Sequence, residues 1–319
     1  MIRWDKMALW PMLYEEVIKE NYVRGYRNIQ VLSGYASSSF VHHIIYTFKE
    51  INLDLIIGMP QKENLTIWDH NEYVNMTKDT NRLRVRYYKG YPPIHAKIVL
   101  WKGENDLEDI SYVGSANFTW HGFKVFQEIM VNSNLVHVQE AFPLNTELID
   151  CNANDVFKYF SMGYQKKTNP NEIDLSSLKN TIGNFQYVTL PLLMKNNEVH
   201  DISGLNWGQR VGREPNQAYI PIPIAIHKEF PGFFPERKNE FNIITDDGNS
   251  FVCVVAQANN KAIHSSHNNS ILGKYFRKRL GIPFGERVKT EHIRQYGRDS
   301  VALYKINEET FYLDFNSQI

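Results

Sequence analysis

Cysteine is nearly absent: Cys151 and Cys253 are the only two in 319 residues, and their wide separation matches no metal-ligand spacing. This excludes a disulfide-stapled scaffold and a cysteine-based zinc site, and makes a reducing, cytoplasmic compartment the simple expectation. An excess of either charge is also absent, since 35 Lys and Arg balance 35 Asp and Glu, so the whole-chain charge names no polyanionic partner. No apolar run approaches the length that spans a bilayer. The opening "MIRWDKMALWPMLYEEV" has no apolar core ahead of a small-residue cleavage site, so neither a secretion signal nor a membrane partner is expected. What remains is an ordinary globular composition, 43% hydrophobic and 22% charged. The length suits two domains of about 150 to 170 residues each.

The neutral total hides two local imbalances. Arg82, Arg84, Arg86, Lys89, Lys97 and Lys102 follow one another with no acid between Asn81 and Lys102. Lys274, Arg277, Lys278, Arg279, Arg287, Lys289, Arg294 and Arg298 face only Glu286 and Glu291. Each stretch is either a solvated face or a surface turned towards something anionic.

The first half alternates helical and strand signals. "LYEEVIKENYV" is amphipathic at helical period, "NIQVLSGYA" is a short apolar strand closed by Gly34, and the serines of "SSFVHHIIYTFKEI" are placed to cap a helix. "LDLIIGMP", "LRVRYYKGY", "IHAKIVLW", "ISYVGS" and "FQEIMVN" continue as strands, and "NANDVFKYFSMGYQK" closes the half as a helix capped by Asn152 or Asn154. The pattern predicts an α/β domain with a mixed sheet flanked by helices over residues 1–167. The polar "TNPNEIDLSSLKNTIGN", broken by Pro170 and Gly183, reads as a linker over 168–184. Residues 185–319 read as mainly β: "FQYVTLPLLM", "QAYIPIPIAI", "EFNIITDDG", "SFVCVVAQA" and "DSVALYKINEETFYLDF", with one helix at "SILGKYFRKRLG". Asp-Asp-Gly at 246–248 is a hairpin signal.

Chemistry concentrates in "IHAKIVLWKGENDLEDISYVGSANF". On a strand His95 and Lys97 point to one face while Ala96 turns into the sheet. Alone, a histidine there reads as structural. The following "VGSANF" supplies a tight turn with Ser115 and Asn117 at a strand end, and an amine, an amide and a hydroxyl together can surround a tetrahedral phosphate. A neutral His95 can attack phosphorus, and Glu128 in "FQEIMV" can hold the other imidazole nitrogen and fix its tautomer.

These residues resemble the active-site pattern of the phospholipase D superfamily, H-x-K followed by G-S-x-N and a later glutamate, and above all its single-motif nuclease branch. Lys102 stands where that superfamily often has an aspartate, which weakens a lipase assignment more than a catalytic one. The resemblance implies two H-x-K motifs per active site, one histidine attacking and the other protonating the leaving oxygen. None of the other ten of the eleven histidines opens an H-x-K. It therefore implies a homodimer through the N-terminal domain, each chain giving His95, Lys97, Ser115, Asn117 and Glu128. Two displacements would pass through a phosphohistidine, with no metal and no cofactor.

The second half speaks for the substrate. "LNWGQRVGREPNQAYIPIP" brings together Asn206, Gln209, Arg210, Arg213, Asn216 and Gln217, side-chain types that read base edges. "QANNKAIHSS" adds Gln257, Asn259, Asn260, Lys261, His264 and Ser265, and the basic helix beyond it offers Lys274 and Arg277 to phosphates. Polar, glycine-rich loops are the plainer reading of either segment alone. This half resembles the plant B-three type of DNA-binding pseudobarrel, in which two arms grip the major groove. The first segment, Trp207 included, corresponds to the N-arm and the second to the C-arm. A phospholipase D-like nuclease followed by this pseudobarrel is the order of the NgoFVII-type restriction endonucleases. The resemblance implies a site-specific DNA endonuclease whose partner is double-stranded DNA, with or without an accessory restriction subunit. Two other readings are a DNA-binding regulator with a non-catalytic dimerisation domain, and a phospholipase, which the single motif and the polar arms disfavour.

Overall fold

The computed structural model describes residues 7–9, 11–61, 65–133 and 135–317. It divides into two units, Met1–Asp174 and Leu175–Ile319, each with its own sheet.

The first unit holds eight strands: β1 (Met7–Leu9), β2 (Asn28–Ser33), β3 (Asn52–Ile57), β4 (Leu83–Tyr88), β5 (Ile98–Lys102), β6 (Ile110–Gly114), β7 (Ile129–Asn132) and β8 (Leu148–Asp150). Their order is β1-β7-β6-β5-β2-β3-β4-β8. β2, β3 and β4 run parallel, while the other pairs are antiparallel, which is the mixed sheet the sequence predicts. Helices Ser38–Thr47 and Ile67–Asp79 make the crossovers that parallel strands require. The serine cap works differently from expectation. Ser37 makes no side-chain cap bond. Instead Asp69, on the neighbouring helix, accepts from the Ser38 N–H at 3.0 Å and its hydroxyl at 2.6 Å. One carboxylate thus satisfies the positive end of the first helix and ties it to the second.

The helix expected over 152–166 shrinks to Val156–Tyr159, and neither Asn152 nor Asn154 caps it. The chain beyond it is drawn into a bridge: Gly163 donates to the Leu65 carbonyl at 2.9 Å and accepts from Ile67 at 3.0 Å. That pairing takes the backbone groups a longer helix would need.

The second unit is mainly β, with β9 (Tyr187–Pro191), β10 (Ile220–Pro221), β11 (Glu240–Thr245), β12 (Ser250–Ala256), β13 (Ala262–Ser265), β14 (Ser300–Asn307) and β15 (Thr310–Asp314). Their order is β10-β13-β12-β11-β15-β14-β9, and the outer strands β9 and β10 approach each other, so the sheet nearly closes into a barrel. Phe241, Ile243, Val255, Leu272, Phe276, Phe311 and Leu313 fill it. The hairpin at Asp246–Gly248 joins β11 to β12, with Gly248 at φ 84°. The helix Ser270–Arg279 is where the sequence puts it. Three others were not foreseen. Leu175–Ile182 lies inside the stretch read as linker, Thr290–Tyr296 follows it late in the chain, and Ile224–Glu229 takes over the last three residues of an expected strand. Pro221 and Pro223 explain the last, because a proline cannot donate to the ladder and suits a helix start. No helix among the described residues is long and apolar enough to cross a membrane.

Candidate active site and nucleic-acid interface

Four strand ends meet at one edge of the first sheet. Leu32 of β2 faces Ile98 of β5, Ile98 faces Val113 of β6, and Gly114 faces Met130 of β7. The exits of β2 and β6 therefore lie beside the starts of β5 and β7. Each carries one piece of the site: Ser33 to Tyr35, Gly114 to Asn117, His95 with Lys97, and Glu128.

His95 and Lys97 precede β5 rather than lie on it. The reason is upstream, where Ile94 donates to the Gly58 carbonyl at 3.0 Å while Gly58 donates to Ser33 at 2.8 Å. Gly58 sits so close that a Cβ there would come within 2.1 Å of the Ile94 oxygen. The strand geometry expected for H-x-K gives way to another arrangement. His95 is exposed, Lys97 is buried, and Lys97 Nζ donates to the His95 carbonyl at 2.7 Å.

The His95 ring meets Tyr35 edge-on, with 5.6 Å between centres. Its Cδ2 would lie 2.7 Å from a Cβ on Gly34. Partial desolvation of the ring, then the Lys97 charge, holds its pKa below the ordinary histidine value, which favours the neutral ring that nucleophilic attack needs. Burial likewise lowers Lys97, with the Glu128 charge opposing. Asn117 is aimed by its oxygen, which accepts from the Tyr35 N–H at 3.2 Å, leaving the NH2 group to donate outward. Ser33 Oγ accepts from Phe118 N–H at 3.0 Å, tying β2 to the same turn.

Glu128 is not bonded to His95. Its carboxylate accepts from the Ser115 hydroxyl, which in turn accepts from the Ile129 N–H at 3.2 Å. The His95 ring nitrogens have no hydrogen-bond partner among the described residues, so the tautomer role read for Glu128 is not met within one chain. Lys102 is at the far end of β5, paired with Asp109 at 2.9 Å. Much of the first basic stretch is engaged within the chain: Arg82 donates to the carbonyls of Ile45, Phe48 and Ile51, the exposed Arg84 pairs with Asp150, and the buried Arg86 pairs with Asp54. Among the described residues no group of three or more His, Cys, Asp or Glu is placed to hold a metal ion.

In the second unit the two arm segments touch. The Arg213 guanidinium lies 4.0 Å over the Trp207 ring, and Trp207 packs on His264 at 4.9 Å. Gln257 Nε2 lies 3.3 Å from His264 Nε2. Arg210, Arg213, Asn259, Lys261 and Lys274 are exposed, and Trp207, Gln217, Gln257, Asn260 and His264 are half-buried.

Four residues read as base or phosphate contacts are buried instead. Arg277 is fully enclosed and donates to the carbonyls of Glu286, Pro215, Asn216 and Gly273. Asn216 bonds Glu214 and accepts from Gly285 N–H. Ser265 caps the next helix, donating to Asn268 O and accepting from Leu272 N–H. Asn206 spans His200 and Val288. Gln209 is half-buried, and its amide is spent on the Pro215 and Gly285 carbonyls. These residues build the N-arm, because a loop leaving a barrel carries backbone groups that need partners.

Residues 11–158 match the NgoFVII restriction endonuclease N-terminal PLD domain. Residues 180–307 match the NgoFVII C-terminal B3-like DNA-binding domain. The chain belongs to the NgoFVII restriction endonuclease family. It is a nuclease of the phospholipase D superfamily joined to a DNA-binding domain. No curated protein matches it. Among solved structures it is similar to Nuc, a phospholipase D family member from Salmonella typhimurium, at 16% identity over 46% of this chain and 95% of that one, TM-score 0.33. It is also similar to NucT from Helicobacter pylori, at 12% identity over 46% and 97%, TM-score 0.33. A polyphosphate kinase from Porphyromonas gingivalis matches at 15% identity over 43% of this chain, which spans only 21% of the kinase, TM-score 0.31.

Three features of this NgoFVII-type chain escape a reading of its motifs. Tyr35 and Gly34 abut Asn117 and His95 from more than fifty positions away, and only the pairing of β2 with β5 brings them there. Glu214 holds the N-arm by accepting from Asn216 and Ser270. Gly273 lets the helix lie against the arm, since a Cβ there would come within 1.7 Å of Asn216 O.

Proposed function

We propose that this protein is a type II restriction endonuclease that hydrolyses DNA phosphodiester bonds at or near a short specific site, without a metal. The convergence of His95, Lys97, Ser115, Asn117 and Glu128 on one sheet edge, with a single H-x-K in the chain, carries the reading. The His95 nitrogen attacks phosphorus, forming an N–P bond as the P–O bond to the leaving nucleoside breaks. The partner subunit's His95 gives that oxygen its proton. Water, deprotonated by the same partner histidine, then attacks phosphorus and breaks the N–P bond, so both imidazoles return to their starting state. Lys97 and the Asn117 NH2 from each copy bear the charge that develops on the phosphoryl oxygens. An exposed His95 with two unengaged ring nitrogens fits a site completed by a second copy.

Supercoiled plasmid incubated with the protein in EDTA tests this. Discrete fragments support the nuclease, and denaturing electrophoresis of an acid-quench-free, rapidly alkalised reaction should trap labelled DNA on protein through His95. Site-specific binding without cleavage by the wild type, with or without divalent cation, would overturn it in favour of the DNA-binding regulator.

A further inference from the structure

Within the N-arm, Arg213 NH1 donates to Gln217 Oε1 at 3.0 Å. The remaining Arg213 donors and the Gln217 NH2 have no partner among the described residues. Gln217 is fixed at its backbone, its N–H on Glu214 O at 3.0 Å and its carbonyl accepting from Gly208 at 2.7 Å. A free glutamine reads adenine through both ends of its amide, accepting from N6–H and donating to N7. Here Arg213 takes one of the two lone pairs of that oxygen, and the other guanidinium donors beside it oppose the N6 amino group of adenine, so the pair presents mainly donors. Of the purine edges in the major groove, only guanine presents two acceptors, O6 and N7, and no donor.

Arg213 is also held in plane. The Trp207 face lies 4.0 Å beneath its guanidinium, and Trp207 rests on His264 of the C-arm. A stacked guanidinium loses less freedom on binding than a solvated one.

We infer that Arg213 and Gln217 act as one locked, donor-rich reader of a guanine, and that Trp207 is the positioning residue that sets its plane. This rests on the proposed reading of the second unit as a site-specific DNA binder.

The test uses the full chain carrying His95→Ala, so that DNA is bound and not cut, and a randomised duplex pool. The parent should enrich a motif in which Arg213→Ala and Gln217→Leu each erase preference at the same G·C pair. Trp207→Leu should blur that pair, and Trp207→Phe, which keeps an aromatic face, should restore it. A duplex with 7-deazaguanine at that position, which needs no variant to fold, should bind the parent about tenfold more weakly or worse. An A·T pair as the one lost, a motif untouched by Arg213→Ala, or full affinity for the 7-deaza duplex would each overturn the inference alone. A pool that yields no motif at all would overturn the DNA-recognition reading beneath it.

Discussion

The backbone N–H of Tyr35 points at the side-chain oxygen of Asn117, 3.2 Å away. That one bond decides which end of the amide faces the open edge of the sheet. Asn117→Asp keeps the accepting oxygen and replaces the donating NH2 with a second oxygen. The fold should be retained, with a melting temperature close to wild type. Single-turnover plasmid cleavage should fall on the order of 10²-fold or more, the usual cost of losing a donor aimed at developing negative charge. Cleavage at wild-type rate would remove Asn117 from the chemistry.

Gly34 should be as sensitive as the motif residues, for a steric reason. A Cβ there would come within 2.7 Å of the imidazole Cδ2, and the His95 side chain must turn away. An alanine at position 34 should leave DNA affinity unchanged and slow cleavage on the order of 10²-fold, as expected when a reacting group moves by about 1 Å. Binding assays and cleavage time courses on the same preparation separate the two effects.

The site was legible where a short motif carries its own chemistry. "HAK" and "GSANF" are local, so the meeting of Lys97, Ser115 and Asn117 at one candidate site was readable, although the Ser115 hydroxyl is given to Glu128. What surrounds them was not, because Gly34 and Tyr35 reach the site only through strand order. The strand assigned to His95 failed for a similar reason: Gly58, far away in sequence, holds Ile94 and delays β5 until Ile98. The arms were legible as polar segments and not as individual contacts. Arg277 and Asn216 have the side chains of DNA readers, and only burial reveals that both face inward.

That burial separates Arg277 from Lys274 in a measurable way. Removing the Arg277 guanidinium strands four carbonyls in an enclosed site, so Arg277→Ala should destabilise the second unit by about 3 kcal/mol. It should also weaken specific binding by loosening the N-arm. Lys274→Ala, on an exposed side chain, should leave the melting temperature within a degree or so while lowering affinity for all sequences alike. Thermal melts with and without DNA decide it. Equal stability of the two variants would return Arg277 to the surface role that its residue type suggests.

Acid should weaken both units through one histidine in each, His70 buried and His264 half-buried. Burial pushes His70, which shares a 2.9 Å hydrogen bond with the Tyr87 hydroxyl, down from 6.5 to about 4. Burial and then the nearby Arg213 charge push His264 to about 4 as well. In each case the folded form resists a proton that the unfolded chain accepts at the ordinary value. The stabilisation is therefore present in full above about pH 6.5, declines as pH falls towards 4, and is gone below that. Its size is on the order of 3 kcal/mol for each ring. Melting temperatures measured from pH 7 to pH 4 should fall steeply across this window. His70→Phe should flatten the slope by about one proton, even though losing the Tyr87 partner lowers stability at pH 7. An unchanged slope would mean that His70 is open to protonation in the folded protein and that the acid sensitivity arises elsewhere.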